Sequence, residues 1–70
     1  MNRIPVTSTN IKSIGYDRKA ATVEVEFQSG GIYQYDCFPE KYFYDFLNAP
    51  SKGTYFYENV KNKYKTYKIC

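Results

Sequence analysis

The sequence predicts a small α+β domain: an antiparallel β-meander of three strands, with an optional fourth, packed against two C-terminal helices. Three observations carry this expectation. Residues Thr22 to Gln28 alternate apolar and polar side chains, the period-2 signature of a half-buried strand. Ser29-Gly30-Gly31 follows, a turn whose residues tolerate positive φ. From Pro39 onward the apolar spacing changes to that of a helix, with Tyr42, Phe43, Phe46 and Leu47 on one face.

The elements follow in order. Residues 1–9 show no periodicity and are expected to form an arm that Pro5 keeps extended. Residues 10–70 form the single domain. Asn10 to Asp17 reads as the first strand, with Ile11 and Ile14 as its apolar members. Asp17-Arg18-Lys19-Ala20-Ala21 is a polar turn. Thr22–Gln28 and Ile32–Cys37 then form a hairpin. Pro39 opens the first helix, and Glu40 suits its N-terminal dipole. Ala49-Pro50 ends that helix, because a residue before proline disfavours the helical conformation. Ser51 caps a second helix with Phe56, Val60 and Tyr64 on one face. Thr66 to Ile69 supplies the optional last strand.

Seventy residues leave room for one core only. Ordering them costs roughly 1.5 kcal/mol per residue, so the margin is thin. Nine tyrosines and five phenylalanines are the means of closing it, since each ring buries about 150–250 Å². Self-association as a homo-oligomer is a second means. The chain has no histidine, and its two cysteines are Cys37 and Cys70. It therefore lacks the usual neutral-pH proton shuttle and an ordinary zinc ligand set. Cys37 is expected to be a small buried residue and Cys70 an exposed thiol, without a bridge between them. No apolar run approaches the ~20 residues of a membrane span, and residues 1–10 lack a signal-peptide core. A cytoplasmic setting is expected. The abundance of Lys, Asn, Tyr, Ile and Phe hints at an AT-rich genome, bacterial or phage.

Charge divides unevenly. Residues 1–50 carry five basic and six acidic side chains, a net −1. Residues 51–70 carry Lys52, Lys61, Lys63, Lys65 and Lys68 against Glu58 alone, a net +4.

Several stretches taken together resemble a known family. They are Ser8-Thr9-Asn10-Ile11, Ser13-Ile14-Gly15-Tyr16-Asp17, Val23 to Phe27, and Ser29 to Tyr35. Phe38-Pro39, Ala49-Pro50-Ser51-Lys52-Gly53-Thr54-Tyr55-Phe56, Val60-Lys61 and Tyr64 continue the pattern. It is similar to that of the KTSC domain, found at the C-terminus of some lysyl-tRNA synthetases and as stand-alone small proteins. The resemblance runs from about Val6 to Ile69. Tyr33-Gln34-Tyr35 and the Ala-x-Ser-x-Gly-x-Tyr-Phe element are its most specific parts. Cys37-Phe38-Pro39 departs from it, because members often carry an aliphatic residue before the proline. The synthetase context implies an RNA partner; no activity is implied.

Candidate ligand-binding residues are Tyr33, Tyr35, Ser51, Lys52, Gly53, Tyr55, Tyr57, Lys61, Tyr64 and Lys65. Tyr33 and Tyr35 share one side of a strand. They are either a stacking platform for bases or part of the core beneath the helices. Ser51-Lys52-Gly53 begins a helix, where free N–H groups attract phosphate; the alternative is an ordinary capped turn. Lys61, Lys63, Lys65 and Lys68 interleave with Tyr57, Tyr64 and Tyr67, so that lysines could meet phosphates and rings meet bases. Lys61 and Lys65 share a helix face if the helix reaches that far; a solvated face is the alternative. Glu24 and Glu26 share the polar face of a strand without a nucleophile beside them, and a solvent-facing pair is expected.

These residues suggest no catalytic group, metal or cofactor. The expected function is a non-enzymatic nucleotide or nucleic-acid binding module, with RNA as the first partner. The alternatives are a phage- or bacterium-encoded protein that sequesters a small signalling nucleotide, and a protein-interaction module with tyrosine anchors.

Overall fold

A computed structural model describes residues 2–70. The chain runs β1 (Arg3–Pro5), β2 (Ile11–Asp17), β3 (Thr22–Phe27), β4 (Ile32–Tyr35), α1 (Glu40–Asn48), α2 (Lys52–Asn59) and β5 (Thr66–Lys68). All strand pairs are antiparallel, and the sheet order follows the chain, β1-β2-β3-β4-β5. The α+β meander and the two C-terminal helices are as expected. The optional strand is present as β5, and its partner is β4.

One strand was not expected. Within the supposed arm, Arg3, Ile4 and Pro5 pair with Gly15, Ile14 and Ser13. A three-residue strand is too short to show a period, and Pro5 is tolerated because β1 is an edge. Gly15 permits the approach. A Cβ there would lie 2.8 Å from the Asn2 carbonyl oxygen and 3.0 Å from Arg3 Cγ.

The apolar alternation of β3 divides the sheet. Val23 and Val25 join Ile11, Ile14, Tyr35, Phe38, Phe43, Phe46 and Val60 in a core closed by the two helices. α1 contributes Phe43 and Phe46. Pro39 is its N-cap rather than its first residue. α2 is capped by Ser51, whose Oγ accepts from the Thr54 N–H at 3.2 Å. It ends at Asn59, and Asn62 turns the chain away with φ +62°, a left-handed conformation asparagine tolerates. Lys61 and Lys65 therefore share no helix face, and Tyr64 packs on Phe38 from beyond the helix.

The other sheet face carries no helix, yet Glu24 is only 6% exposed. It is not the solvent-facing carboxylate expected of it. Arg3 lies across Gly15 and pairs through Nη1 with Glu24 Oε2. Gln34 Nε2 donates to Glu24 Oε1 at 2.8 Å. Arg3 Nε donates to Ser13 Oγ at 3.1 Å, and Ser13 donates to Glu26 at 2.8 Å. Burial opposes the Glu24 charge, but Gln34 and Arg3 outweigh it and hold this carboxyl below its ordinary 4.5.

Cys37 also departs from expectation. It is exposed, with φ +56°. The strand stops at Tyr35, and the left-handed turn that follows sends Phe38, not Cys37, into the core. Cys70 is exposed as expected. Its amide bonds Ile32 at the far end of β4, and both cysteines are free.

Two outcomes follow. Gly15→Ala forces β1 off the sheet and should cost about 1–3 kcal/mol. Thermal unfolding should show a drop of several degrees for a chain this size, and an unchanged midpoint would refute the close approach. The lowered Glu24 pKa stabilises the fold above pH 4.5 and ceases to do so as pH falls through the folded value. Urea midpoints of the wild type and Glu24→Gln should therefore differ at pH 7 and converge below pH 4.5. A gap that persists in acid would show that Glu24 does not carry this effect.

Candidate functional site

The start of α2 and the loop before β2 meet although more than forty residues separate them. Pro50 cannot continue α1, so the chain restarts at Ser51. Ser51 Oγ accepts from Thr54 and donates to its hydroxyl. Ser8 does similar work in the other segment: its Oγ accepts from the N–H groups of Asn10 and Ile11, both at 3.2 Å. That turn carries Asn10 onto Gly53, where a Cβ would lie 3.0 Å from Asn10 Nδ2.

Two open grooves flank this contact. One, of about 550 Å³, runs between Ser8–Asn10 and Ser51–Thr54. The other, of about 420 Å³, runs toward the Gln28-Ser29 turn and Lys61, over Ile11, Phe27 and Phe56. Thr9, Asn10, Gly53 and Tyr57 line both. Tyr57 is 69% exposed, and Lys61 Nζ lies 5.1 Å from its ring centroid. The combined groove thus offers an open aromatic ring, the lysines Lys52 and Lys61, the carboxylate of Glu58 and a row of small polar side chains. An aromatic face beside a cation accepts flat, anionic groups.

Of the expected ligand residues, the structure brings Ser51, Lys52, Gly53, Tyr57 and Lys61 to this place. Lys52 has a different task from the one expected: its ammonium donates to the Ala49 carbonyl at 2.8 Å, at the end of α1.

The remaining five lie elsewhere. Tyr35 is 4% exposed, and burial pushes its phenol up to about 12. Tyr33 lies edge-on to Phe27 and packs against the same core. The stacking platform is therefore excluded, because both tyrosines pair with Val23 and Val25 and share their face. Tyr55 stacks on Phe46 at 5.2 Å and donates to the Tyr42 carbonyl. Tyr55 and Tyr64 line a separate cleft with Tyr42 and Lys63. Burial, above all, raises both phenols. Lys65 lies over Tyr67 at 5.6 Å, beside β5.

Ser8, Thr9 and Asn10 escaped sequence reasoning as site residues. Short polar side chains in a loop carry no periodic signal, and only their place in the family pattern marked them. Among the described residues no cluster of three or more His, Cys, Asp or Glu side chains could hold a metal. No described helix is long and apolar enough to cross a membrane.

Comparison with known proteins places this geometry. A KTSC domain model matches residues 7–64. A KTSC domain protein from Yersinia pestis has a crystal structure that superposes with a TM-score of 0.96 at 40% identity, covering 99% of this chain and 97% of that one. An uncharacterized protein from Stutzerimonas stutzeri is 34% identical over 67 residues, 96% of this chain and 94% of its own length. A lysine-tRNA ligase from Nostoc punctiforme is 42% identical over 55 residues, 79% of this chain. This chain spans only 10% of that ligase. With the family pattern running through both loops of the groove and the whole sheet superposing on a solved member, this chain belongs to the KTSC domain family.

Proposed function

We propose that this chain is a non-enzymatic binding domain for a nucleotide, held in the groove between Asn10, Gly53, Tyr57 and Lys61. The pairing of the open Tyr57 ring with Lys61 carries this proposal. A base stacks on the ring, and the ammonium meets a phosphate. The supply of cations sets the scale of the ligand. Lys52 is engaged with Ala49, while Lys63 and Lys65 face other surfaces. Lys61 is the lysine beside Tyr57, the more exposed of the lysine-paired rings, and one such cation in the groove suits one nucleotide unit better than a long phosphate track.

A second reading is RNA binding. It is favoured by the relatives that are lysine-tRNA ligases and contain a segment similar to this chain. The two differ in salt dependence. On single strands log K falls by about 0.7 per phosphate contact for each tenfold rise in salt. One nucleotide predicts a slope near that value or below, and an RNA track predicts several times more.

Calorimetric titration with nucleoside monophosphates and short RNA oligomers, at several salt concentrations, tests both. Tyr57→Ala should weaken binding by about 1–3 kcal/mol, and Lys61→Ala should flatten the salt slope. Tyr64→Phe, in the separate cleft, should leave affinity unchanged. If Tyr57→Ala binds as well as the wild type, the groove is not the site. Failure of every nucleotide and oligomer to bind would leave the field to a protein partner.

A further inference from the structure

We infer that the free edge of β5 pairs with β5 of a second copy of this chain, antiparallel and centred on Tyr67, so that the two sheets join into one. The contact uses none of the groove residues and stands apart from the nucleotide reading. The ladder between β4 and β5 fixes which groups are free. The Asp36 N–H donates to the Lys65 carbonyl at 3.0 Å, and the Ile69 N–H donates to the Ile32 carbonyl at 2.8 Å. With Tyr67 opposite Gln34, residues 65, 67 and 69 are the ones that bond β4. The alternate residues of an antiparallel strand point their N–H and C=O groups the other way. Thr66 and Lys68 therefore present theirs outward, and among the described residues no backbone group bonds them. β5 is exposed throughout and carries no proline. The opposite edge, β1, is blunted by Pro5 and by Arg3, which turns inward to Glu24.

A second copy meets this edge in register. About a two-fold axis at Tyr67, Thr66 lies opposite Lys68 of the second copy and exchanges both backbone bonds with it, and Lys68 does the same with Thr66. Such a contact is self-complementary. Tyr67 then faces its own counterpart across a non-hydrogen-bonded site, where side chains approach most closely. Lys65, Tyr67 and Ile69 share the sheet face opposite the helices, because Tyr67 is paired with Gln34 and Gln34 with Glu24. Tyr67 is 41% exposed and Ile69 52%, and the pairing covers both, with Ile69 against the stem of Lys65 from the second copy. Charge chooses the register. An axis at Lys68 would set two lysines directly opposite, which is destabilising. The axis at Tyr67 moves them to diagonal sites about 7–8 Å apart. An acidic foreign strand is the poorer match, because Lys65 already leans on its own Tyr67 ring and faces Asp36 across the ladder. So short a contact falls below the roughly 1,200 Å² of a stable complex, and the dimer is a weak one that forms at high protein concentration.

The test is sedimentation velocity together with nitrogen–proton NMR of the full chain, from low micromolar to millimolar concentration. The expected result is a monomer–dimer equilibrium, with concentration-dependent amide shifts confined to β5 and its flanks. Thr66→Pro removes an outward N–H without touching the ladder to β4, and should weaken the dimer about tenfold or more. Thr66→Ala keeps the backbone donor and should dimerise like the wild type. Added salt should tighten the dimer, because it screens Lys68 from its counterpart. The amide spectrum reports whether each variant is folded; should Thr66→Pro not fold, the wild-type shifts and the sign of the salt effect decide. A chain that stays monomeric at millimolar concentration overturns the inference. So does a dimer that survives Thr66→Pro, or that Thr66→Ala abolishes. A dimer that dissociates as salt rises is held by opposite charges elsewhere and overturns it too. A capped Glu-Val-Glu-Val-Glu peptide that shifts the β5 amides of a monomeric chain would give the edge to a foreign acidic strand instead.

Discussion

The pairing of β3 with β4 decides where the aromatic rings of this chain go. Val23 and Val25 lie directly opposite Tyr35 and Tyr33, and directly opposed residues of an antiparallel pair share a face. The valines have nowhere to go but the core, so the tyrosines follow. Once there, Tyr35 meets Phe56 edge to face, and Phe27 meets both Tyr33 and Phe56 in the same manner. These contacts hold α2 over the sheet, and α2 in turn carries Gly53 and Tyr57, with Lys61 in the turn just past its end. The groove is a consequence of rings that are no longer available to a ligand.

The same alternation sends Glu24 to the opposite face. A carboxylate that loses water without a partner is destabilising, and here three strands answer it. Arg3 comes from β1 and Gln34 from β4, while Ser13 of β2 links Arg3 to Glu26. The network needs β1 in place, and β1 needs the missing side chain at Gly15. An edge of three residues is thus tied to the centre of the sheet by one arginine. Removing one partner of such a buried set costs more than the set as a whole contributes, because the remaining charge is stranded.

Strands β2 to β4 and both helix starts were legible because local rules determine them: period-2 alternation, a glycine turn, a proline break and a serine cap. Features that depend on distant neighbours were not. β1 is visible only through Gly15. Cys37 is exposed because of a left-handed turn that no single residue in Cys37-Phe38-Pro39 announces. The end of α2 at Asn59 separates Lys61 from Lys65, although their spacing suits a helix. Half of the candidate site followed from the Ser51 cap and its neighbours. Tyr33, Tyr35, Tyr55 and Tyr64 were misplaced because a tyrosine at the right spacing for a ligand face has the right spacing for a core face as well.

The excess of positive charge in the last twenty residues shows why composition overstates a binding surface. In sequence the lysines interleave with tyrosines like a phosphate-tracking stretch. In space Lys52 turns back to the end of α1, Lys61 leans on Tyr57, and Lys63 lines the cleft of Tyr42, Tyr55 and Tyr64. Lys65 lies on Tyr67, and Lys68 sits across from Tyr33 at the sheet edge. Exposed charges more than about 8–10 Å apart are largely screened from one another at physiological salt. A net +4 distributed in this way does not act as one field. It leaves separate lysine–tyrosine pairs, Lys61 on Tyr57 and Lys65 on Tyr67, and of these two rings Tyr57 is the more open.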